Sequence, residues 1–358
     1  MKASYRVIAA HELDAGLVDA WRSIQSAERI FASPYFCPEF TQMVGAVRDN
    51  VRIVVIENQG RAAGFFPHLR ARWGSGRPVG GPLSDYHGVI ARPDCEWQLD
   101  GLMRAARLSV WTFDHLVGAE RQFAPYVTGS ASSPQIDLTG GYENYARGRR
   151  EAGSEYLRKT EGLARKLGRE VGELRFELHD AGALEQVIRW KSDQYRRSNL
   201  TDVFGVAWTR ELLGRIAHLE AGGFAGLCSV LRAGDRVVAA HLGMRSREVL
   251  HYWFPAYDPE YAKFSTGIIL LLRIAQAAAS LGIRAIDLGK GDAQYKQRLM
   301  TGAVELREGY VERPSLIAAA RRLKRAAEAR AARGGGIAAA LKLPLRAMRR
   351  LERLRRFA

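Results

Sequence analysis

Between Val249 and Leu288 the chain reads strand, strongly apolar helix, strand. The strand is Val249 to Phe254, the helix runs from about Thr266 to Leu281, and the second strand is Ala285 to Leu288. A helix this apolar must be covered by other elements, and the strands beside it offer that cover. Two more strands precede it, Gly226 to Leu231 and Arg236 to Met244. Turns at Gly234-Asp235 and Ser246-Arg247 join the three strands into a meander. Gly282 suits a left-handed cap at the end of the helix. A short helix from Asp292 to Met300 and a strand from Val304 to Val311 follow. Alternation of this kind gives a mixed α and β class, α+β in layout.

The same outline occurs earlier in the chain. Tyr5 to Ala10 reads as a strand. His11 to Glu28 reads as a helix with Leu13, Leu17, Ala20, Trp21 and Ile24 on one side. A Pro-broken link, Ser33 to Phe40, leads to strands Val51 to Glu57 and Ala62 to Ala71, paired through Asn58-Gln59-Gly60. A Gly/Pro-rich loop from Gly76 to Gly88 precedes a helix, Glu96 to Arg107, and a strand, Ser109 to Phe113. Ser130 to Pro134 is polar and reads as loop. Tyr142 to Gly172 reads as a long charged helical stretch and holds the junction between the halves. The second half then starts with a strand, Leu174 to Leu178, and helices Ala183 to Arg197 and Trp208 to Ala221. The expected division is 1–150, 151–312 and a tail, 313–358.

The net charge of +16 sits mostly in that tail. From Arg313 to Ala358 there are 14 Arg and Lys against two acids, a charge of +12, which leaves +4 for residues 1–312. The folded body is therefore close to ordinary in charge. The three cysteines, Cys37, Cys95 and Cys228, have neither metal nor disulfide spacing, so buried packing and a reducing, cytoplasmic compartment are expected. No metal site is expected. MKASYRVIAAHELD has no apolar core of a secretion signal, and no run approaches the ~20 apolar residues of a membrane span.

Candidate chemistry concentrates between Val237 and Leu299. Ser265 precedes the apolar helix as an N-cap, with Thr266 and Gly267 just inside it. Free N–H groups there attract anions, and Gly267 leaves room for a close approach. Read as packing alone, Ser265 is simply a cap. Asp287 to Asp292 ends a buried strand in a glycine turn, where polar groups often face a ligand. The plain alternative is a turn with Asp292 capping the short helix. His241 interrupts an apolar strand, and a buried imidazole needs a partner or a task. His251-Tyr252-Trp253 adds further candidates.

Three segments carry a resemblance. They are Tyr252-Trp253-Phe254-Pro255-Ala256-Tyr257-Asp258-Pro259-Glu260-Tyr261, then Ser265-x-Gly267, then Asp287-Leu288-Gly289-x-Gly291-Asp292-x-x-Tyr295-Lys296. Together they resemble the GNAT-superfamily acetyltransferases of the CelD type, associated with cellulose and exopolysaccharide biosynthesis. These are similar to the FemAB peptidoglycan aminoacyl transferases, which also hold two GNAT-like halves. Gly80 to Gly88 and Ser33 to Phe40 resemble the first half of that family. The usual pyrophosphate signature, Gln/Arg-x-x-Gly-x-Gly/Ala, is replaced here by Lys263-Phe264-Ser265-Thr266-Gly267.

The resemblance implies tandem GNAT-like domains and direct transfer from acetyl-CoA or another acyl-CoA to an amine or hydroxyl of a saccharide acceptor. His241 is the first choice for general base and Asp287 the second, with Tyr252 nearby. Tyr295 is placed to protonate the leaving thiolate. Ser265, Thr266, Gly267 and Lys296 would hold the donor phosphates. Asp85, Tyr86, His87, Lys290 and Asp292 would meet the acceptor. A FemAB-like use of aminoacyl-tRNA, or a silent assembly module, stands as the alternative.

The basic tail reads as a helix over 315–333, with Leu316, Ala319, Ala320, Leu323 and Ala327 on one side. Gly334-Gly335-Gly336 breaks it before a second amphipathic piece. Such helices dock on anionic membrane surfaces, here the inner face, or on a partner such as a polysaccharide synthase. A solvated extension fits equally well, and nucleic acid is the least favoured partner.

Overall fold

The structure is a computed structural model that describes residues 3–118, 122–180, 182–315, 318, 319, 321–323 and 325. Its strands in chain order are β1 (Ser4–Ala9), β2 (Val51–Asn58), β3 (Arg61–Arg70), β4 (Ser75–Pro78), β5 (Ile90–Ala91), β6 (Val110–Leu116), β7 (Val127–Asp137), β8 (Leu174–Glu177), β9 (Glu220–Ala221), β10 (Phe224–Ala233), β11 (Arg236–Arg245), β12 (Val249–Tyr257), β13 (Ala285–Asp287) and β14 (Gly302–Glu312). Its α-helices are α1 (Ala15–Ala27), α2 (Pro38–Val47), α3 (Leu99–Ala105), α4 (Tyr142–Glu151), α5 (Tyr156–Glu170), α6 (Ala183–Arg197), α7 (Ala207–Ala217), α8 (Thr266–Ser280) and α9 (Gln294–Leu299).

Two compact units form. One comprises residues 1–24, 44–130 and 307–358, and the other 25–43 and 131–306. Both units are discontinuous in sequence, whereas the repeat read from the sequence divides the chain at 150 and 312.

In the first unit the strands follow the order β1-β2-β3-β4-β6, and Arg307–Glu312 of β14 pairs with β6. Gln59 and Gly60 at positive φ make the tight β2–β3 turn. Its core packs Val54, Ile56, Phe66, Trp111 and Phe123, and the rings of Trp21 and Phe65 stack at 4.6 Å. The start of the tail is part of this unit. Arg325 pairs with Glu312 at 2.8 Å and lies over the Tyr310 ring at 4.0 Å. Of the apolar side read for that helix, Ala319 and Leu323 are exposed, Leu323 at 73%. Ala318 is the residue turned inward. Leu316, Ala320, Ala327 and the second amphipathic piece lie outside the described residues.

In the second unit the order is β7-β13-β12-β11-β10-β8. The meander β10-β11-β12 is antiparallel, and β13 joins β12 in parallel after the α8 crossover. α8 buries Ile269, Leu270, Leu271, Leu272, Ile274, Ala275 and Ala278, which is why its sequence is apolar nearly all round. Gly282 adopts the left-handed conformation, and the Ile283 N–H closes back on the Ala278 carbonyl.

Three local expectations change. Ser130 to Pro134 is strand, because β14 lies beside β7 and the turn after β13 donates to its carbonyls, partners that its polar sequence does not advertise. The stretch from Tyr142 to Gly172 is two helices, parted where Gly153 takes a φ of 75°. Asp292 does not cap α9, which starts at Gln294 behind Ala293.

One close approach is decisive for the second unit. A Cβ on Gly226 of β10 would stand 1.9 Å from the Ile216 carbonyl oxygen at the end of α7. Gly226→Ala is expected to destabilise the protein by about 3 kcal/mol or more, read as a lower urea midpoint. An unchanged midpoint would place α7 elsewhere.

Candidate functional site

The β12–β13 ladder is short. Val249, Leu250 and His251 pair with Ala285, Ile286 and Asp287, and there it stops. β12 runs on to Tyr257, but the chain after Asp287 turns to β7. The N–H groups of Leu288 and Gly291 donate to the carbonyls of Pro134 and Ser132. The two parallel strands thus part, leaving the far half of β12 without a partner on that side among the described residues.

Asp287 anchors the parting. Its carboxylate is 1% exposed and accepts hydrogen bonds from Ser133 Oγ at 2.7 Å, Gln135 Nε2 at 3.0 Å and the Gly289 N–H at 2.8 Å. His251 Nδ1 lies 3.3 Å from Oδ1. A carboxylate held by this many donors fixes structure, and it does not line the cleft described next. This differs from the general-base role considered for Asp287.

A cleft of about 430 Å³ opens at the start of α8. Ser265, Thr266, Gly267 and Ile268 form one wall, Tyr252, Pro255 and Tyr257 of β12 another. Tyr156 of α5, Lys191 and Gln194 of α6, and Tyr295 of α9 complete it. Ser265 is not a side-chain cap. It sits in the left-handed region at φ 56°, with no hydrogen bond from its hydroxyl to the helix. Its carbonyl instead accepts from the N–H groups of Ile268 and Ile269. The first N–H groups of α8, on Thr266 and Gly267, have no acceptor within the helix, as at any helix start. Thr266 Oγ1 is buried there without a hydrogen-bond partner. A Cβ on Gly267 would press on the Tyr257 ring at 3.3 Å. The Tyr252 hydroxyl donates to the Gly267 carbonyl at 3.3 Å and braces this first turn.

His241 lies behind this wall and does not line the cleft. It is fully buried, and its ring stacks on Tyr252 at 4.4 Å with both nitrogens unpartnered. Gly243, two residues on, has no Cβ to strike that ring, which would otherwise lie 2.5 Å away. The β11–β12 register slips here, so Tyr252 and Trp253 face Gly243 alone. Burial first, then the His251 and Lys191 charges, lower the His241 pKa to about 3. Such a ring is neutral at pH 7 and too weak a base for the role first expected of it.

Lys191, unremarkable in the sequence, faces the cleft and is half-buried. Burial, with the neighbouring Lys296 charge second, lowers its pKa to about 8. Burial raises Tyr295 to about 12 and Tyr252 well above its usual value. Both phenols therefore stay protonated. Lys296 is turned away: its ammonium donates to the Gly289 and Lys290 carbonyls at 2.9 and 3.0 Å. Lys290 and Asp292 belong to that turn and are not among the cleft residues. Asp85, Tyr86 and His87 lie in the first unit. There His87 Nε2 accepts the backbone N–H groups of Asp114 and His115, and Asp85 lies 3.7 Å from His115 Nε2.

Residues 155–297 match the family described as acetyltransferase (GNAT) domain. This segment is similar to GNAT acetyltransferase domains. It contains every residue of the cleft and makes the chain an acyltransferase. Domains of this family take acyl-CoA as donor. No curated protein matches the chain significantly. Among solved structures, a conserved protein of unknown function from Bacteroides thetaiotaomicron aligns at 10% identity, covering 82% of this chain and 97% of that one, with TM-score 0.54. The C-terminal domain of a candidate lysylphosphatidylglycerol synthetase from Agrobacterium fabrum aligns at 13% identity, covering 86% and 94%, with TM-score 0.51. A tandem GNAT protein from the clavulanic acid biosynthesis pathway aligns at 10% identity, covering 87% and 99%, with TM-score 0.49. The first two establish the fold and nothing more. Among the described residues no helix is long and apolar enough to cross a membrane.

The His241 ring should remain neutral far into acid. In ¹⁵N-histidine spectra its ring nitrogens are expected to hold their shifts down to about pH 4, with His241→Gln giving the assignment. Because its folded pKa of about 3 lies below the ordinary 6.5, the unfolded chain binds the proton first. The stability it contributes is complete above pH 6.5 and declines as pH falls towards 3. A ring that protonates near pH 6.5 would contradict its placement.

Proposed function

We propose that the chain transfers an acyl group from acyl-CoA to an amine or hydroxyl of a saccharide acceptor, within the cleft at the start of α8. The observation that carries this reading is the parting of β12 and β13 beside that helix start. The gap frees backbone N–H groups of β12, and the helix start offers N–H groups to phosphate. Gly267 and the unpaired Thr266 hydroxyl suit a close anionic neighbour. The saccharide class rests on the resemblance of Tyr252 to Tyr261 and Asp287 to Lys296 to CelD-type enzymes. Residues 1–150 are read as the degenerate copy, and the basic tail as the part that meets an anionic surface or a synthase.

Lys191 takes the base role in this proposal. Its neutral amine accepts the proton as the acceptor nitrogen or oxygen bonds to the thioester carbon. A backbone N–H of β12 steadies the carbonyl oxygen as it gains charge. The carbon–sulfur bond then breaks. Tyr295, kept protonated by burial, donates a hydrogen bond to the departing sulfur, and the proton gathered by Lys191 neutralises it. His241 backs Tyr252 and so holds the first turn of α8. Holding donor and acceptor together supplies much of the acceleration.

Incubation with several acyl-CoAs and sugar nucleotides or polymer fragments, read by mass spectrometry, tests the whole. An acyl mass increment on the sugar is expected. Tight binding of charged tRNA with none of acyl-CoA would transfer the chain to the aminoacyl class, and transfer to no acceptor with either donor would favour a silent module.

Two variants test the parts. Since Lys191 must be neutral, kcat/KM should climb as pH rises through about 8 and then level. Lys191→Met should remove that limb and lower kcat by roughly 10²-fold or more. A wild-type profile in the variant would remove the assignment. Gly267→Ala, crowding Tyr257, should raise the acyl-CoA KM roughly tenfold, about 1.4 kcal/mol, with the melting temperature little changed. An unaltered KM would show that the donor does not approach that turn.

A further inference from the structure

The first unit holds a basin of about 1470 Å³ that the acyl-transfer reading does not use. It forms at the end of α2, the turn before β2 and the ends of β2, β3 and β4. Arg48, Arg52, Arg70, Arg72 and Arg77 line it, against one carboxylate, Asp49. Arg70 and Arg72 are exposed and have no carboxylate partner among the described residues. Arg52 is fixed at the wall, its Nη1 donating to the Asp49 and Val51 carbonyls at 2.7 Å each.

Trp73 stands among them. It is 80% exposed and makes no ring contact among the described residues. Its φ is 63°, in the left-handed region that favours glycine. A bulky side chain held there costs energy and gains nothing from packing. An indole left in water beside clustered guanidinium groups suits contact with something outside the chain.

We propose that this basin binds an acidic saccharide chain bearing carboxylates, as uronates do. The guanidinium forks match carboxylates in a bidentate manner, which is where arginine outperforms lysine. The flat indole accepts the C–H face of one sugar ring. Repulsion among the clustered cations falls when such a chain lies in the basin. Single-stranded nucleic acid would need a row of aromatics for successive bases, and the described lining offers only the Trp73 indole and the small imidazole of His11. A bilayer would meet Trp73 and Arg72 at the rim but not the half-buried Arg48, Arg52 and Arg77. The inference rests on the saccharide reading of the acceptor and narrows it to acidic polymers.

Isothermal titration of the full chain with tetragalacturonate tests it. Saturable binding is expected, weakening as salt rises. Trp73→Gly, whose backbone suits that φ, and Arg72→Ala should each weaken it roughly tenfold without lowering the melting temperature. Lys191→Met should leave it unchanged. Equal binding of neutral cellotetraose, or tighter binding of oligouridylate or of phosphatidylglycerol vesicles, would overturn the proposal, as would no binding at all. Tetragalacturonate bound but never acylated would leave the basin standing and sink the acidic acceptor. Acylated cellotetraose without tetragalacturonate binding would sink the basin and leave the saccharide acceptor of the acyl transfer standing.

Discussion

The length of the ladder between β12 and β13 governs the cleft proposed for acyl transfer. Two parallel strands would ordinarily continue pairing and satisfy every backbone group between them. Here they stop after His251 and Asp287. The buried Asp287 carboxylate gathers Ser133, Gln135 and the Gly289 N–H, all on the β7 side or in the turn. Leaving any of those donors unmatched in the interior would cost about 1–3 kcal/mol. The chain therefore follows β7, and β12 is left with open backbone beside α8.

That opening is shaped by what burial does to ionisable groups. Enclosure raises the phenols of Tyr295 and Tyr252 and lowers the ammonium of Lys191 to about 8. Each shift favours the uncharged form, because a low-dielectric wall penalises charge of either sign. The cleft thus presents hydrogen-bond donors and one amine that gives up its proton near pH 8. The His241 ring shows the limit of the same effect. Enclosed completely, it loses its basicity and serves as a flat support for Tyr252.

Much of this is legible in the sequence. The meander Gly226 to Phe254, the apolar helix after Ser265 and the glycine turn after Asp287 appear where periodicity and turn residues place them. Ser265, Thr266, Gly267, Tyr252 and Tyr295 do come together in one cleft. Lys191, Tyr156 and Gln194 were not readable, since on α5 and α6 they look like any solvated residue of a charged helix. Lys296 and Asp287 carried the right chemistry for a site, but their partners are local backbone and neighbouring side chains. Pairing preferences of that kind depend on distances that spacing along the chain does not encode.

What the sequence by itself determined is the class of fold and the position of the helix start. Alternation of apolar residues, turn glycines and capping positions are short-range effects, and each acts within a few residues. Which groups are charged, which are engaged and which face open space was decided only by the tertiary structure. Those properties come from burial and from partners brought together across the chain, as Lys191 and Tyr295 come to line one cleft and Ser133 bonds to Asp287. A side chain's pKa and its availability belong to its surroundings, and folding makes the surroundings.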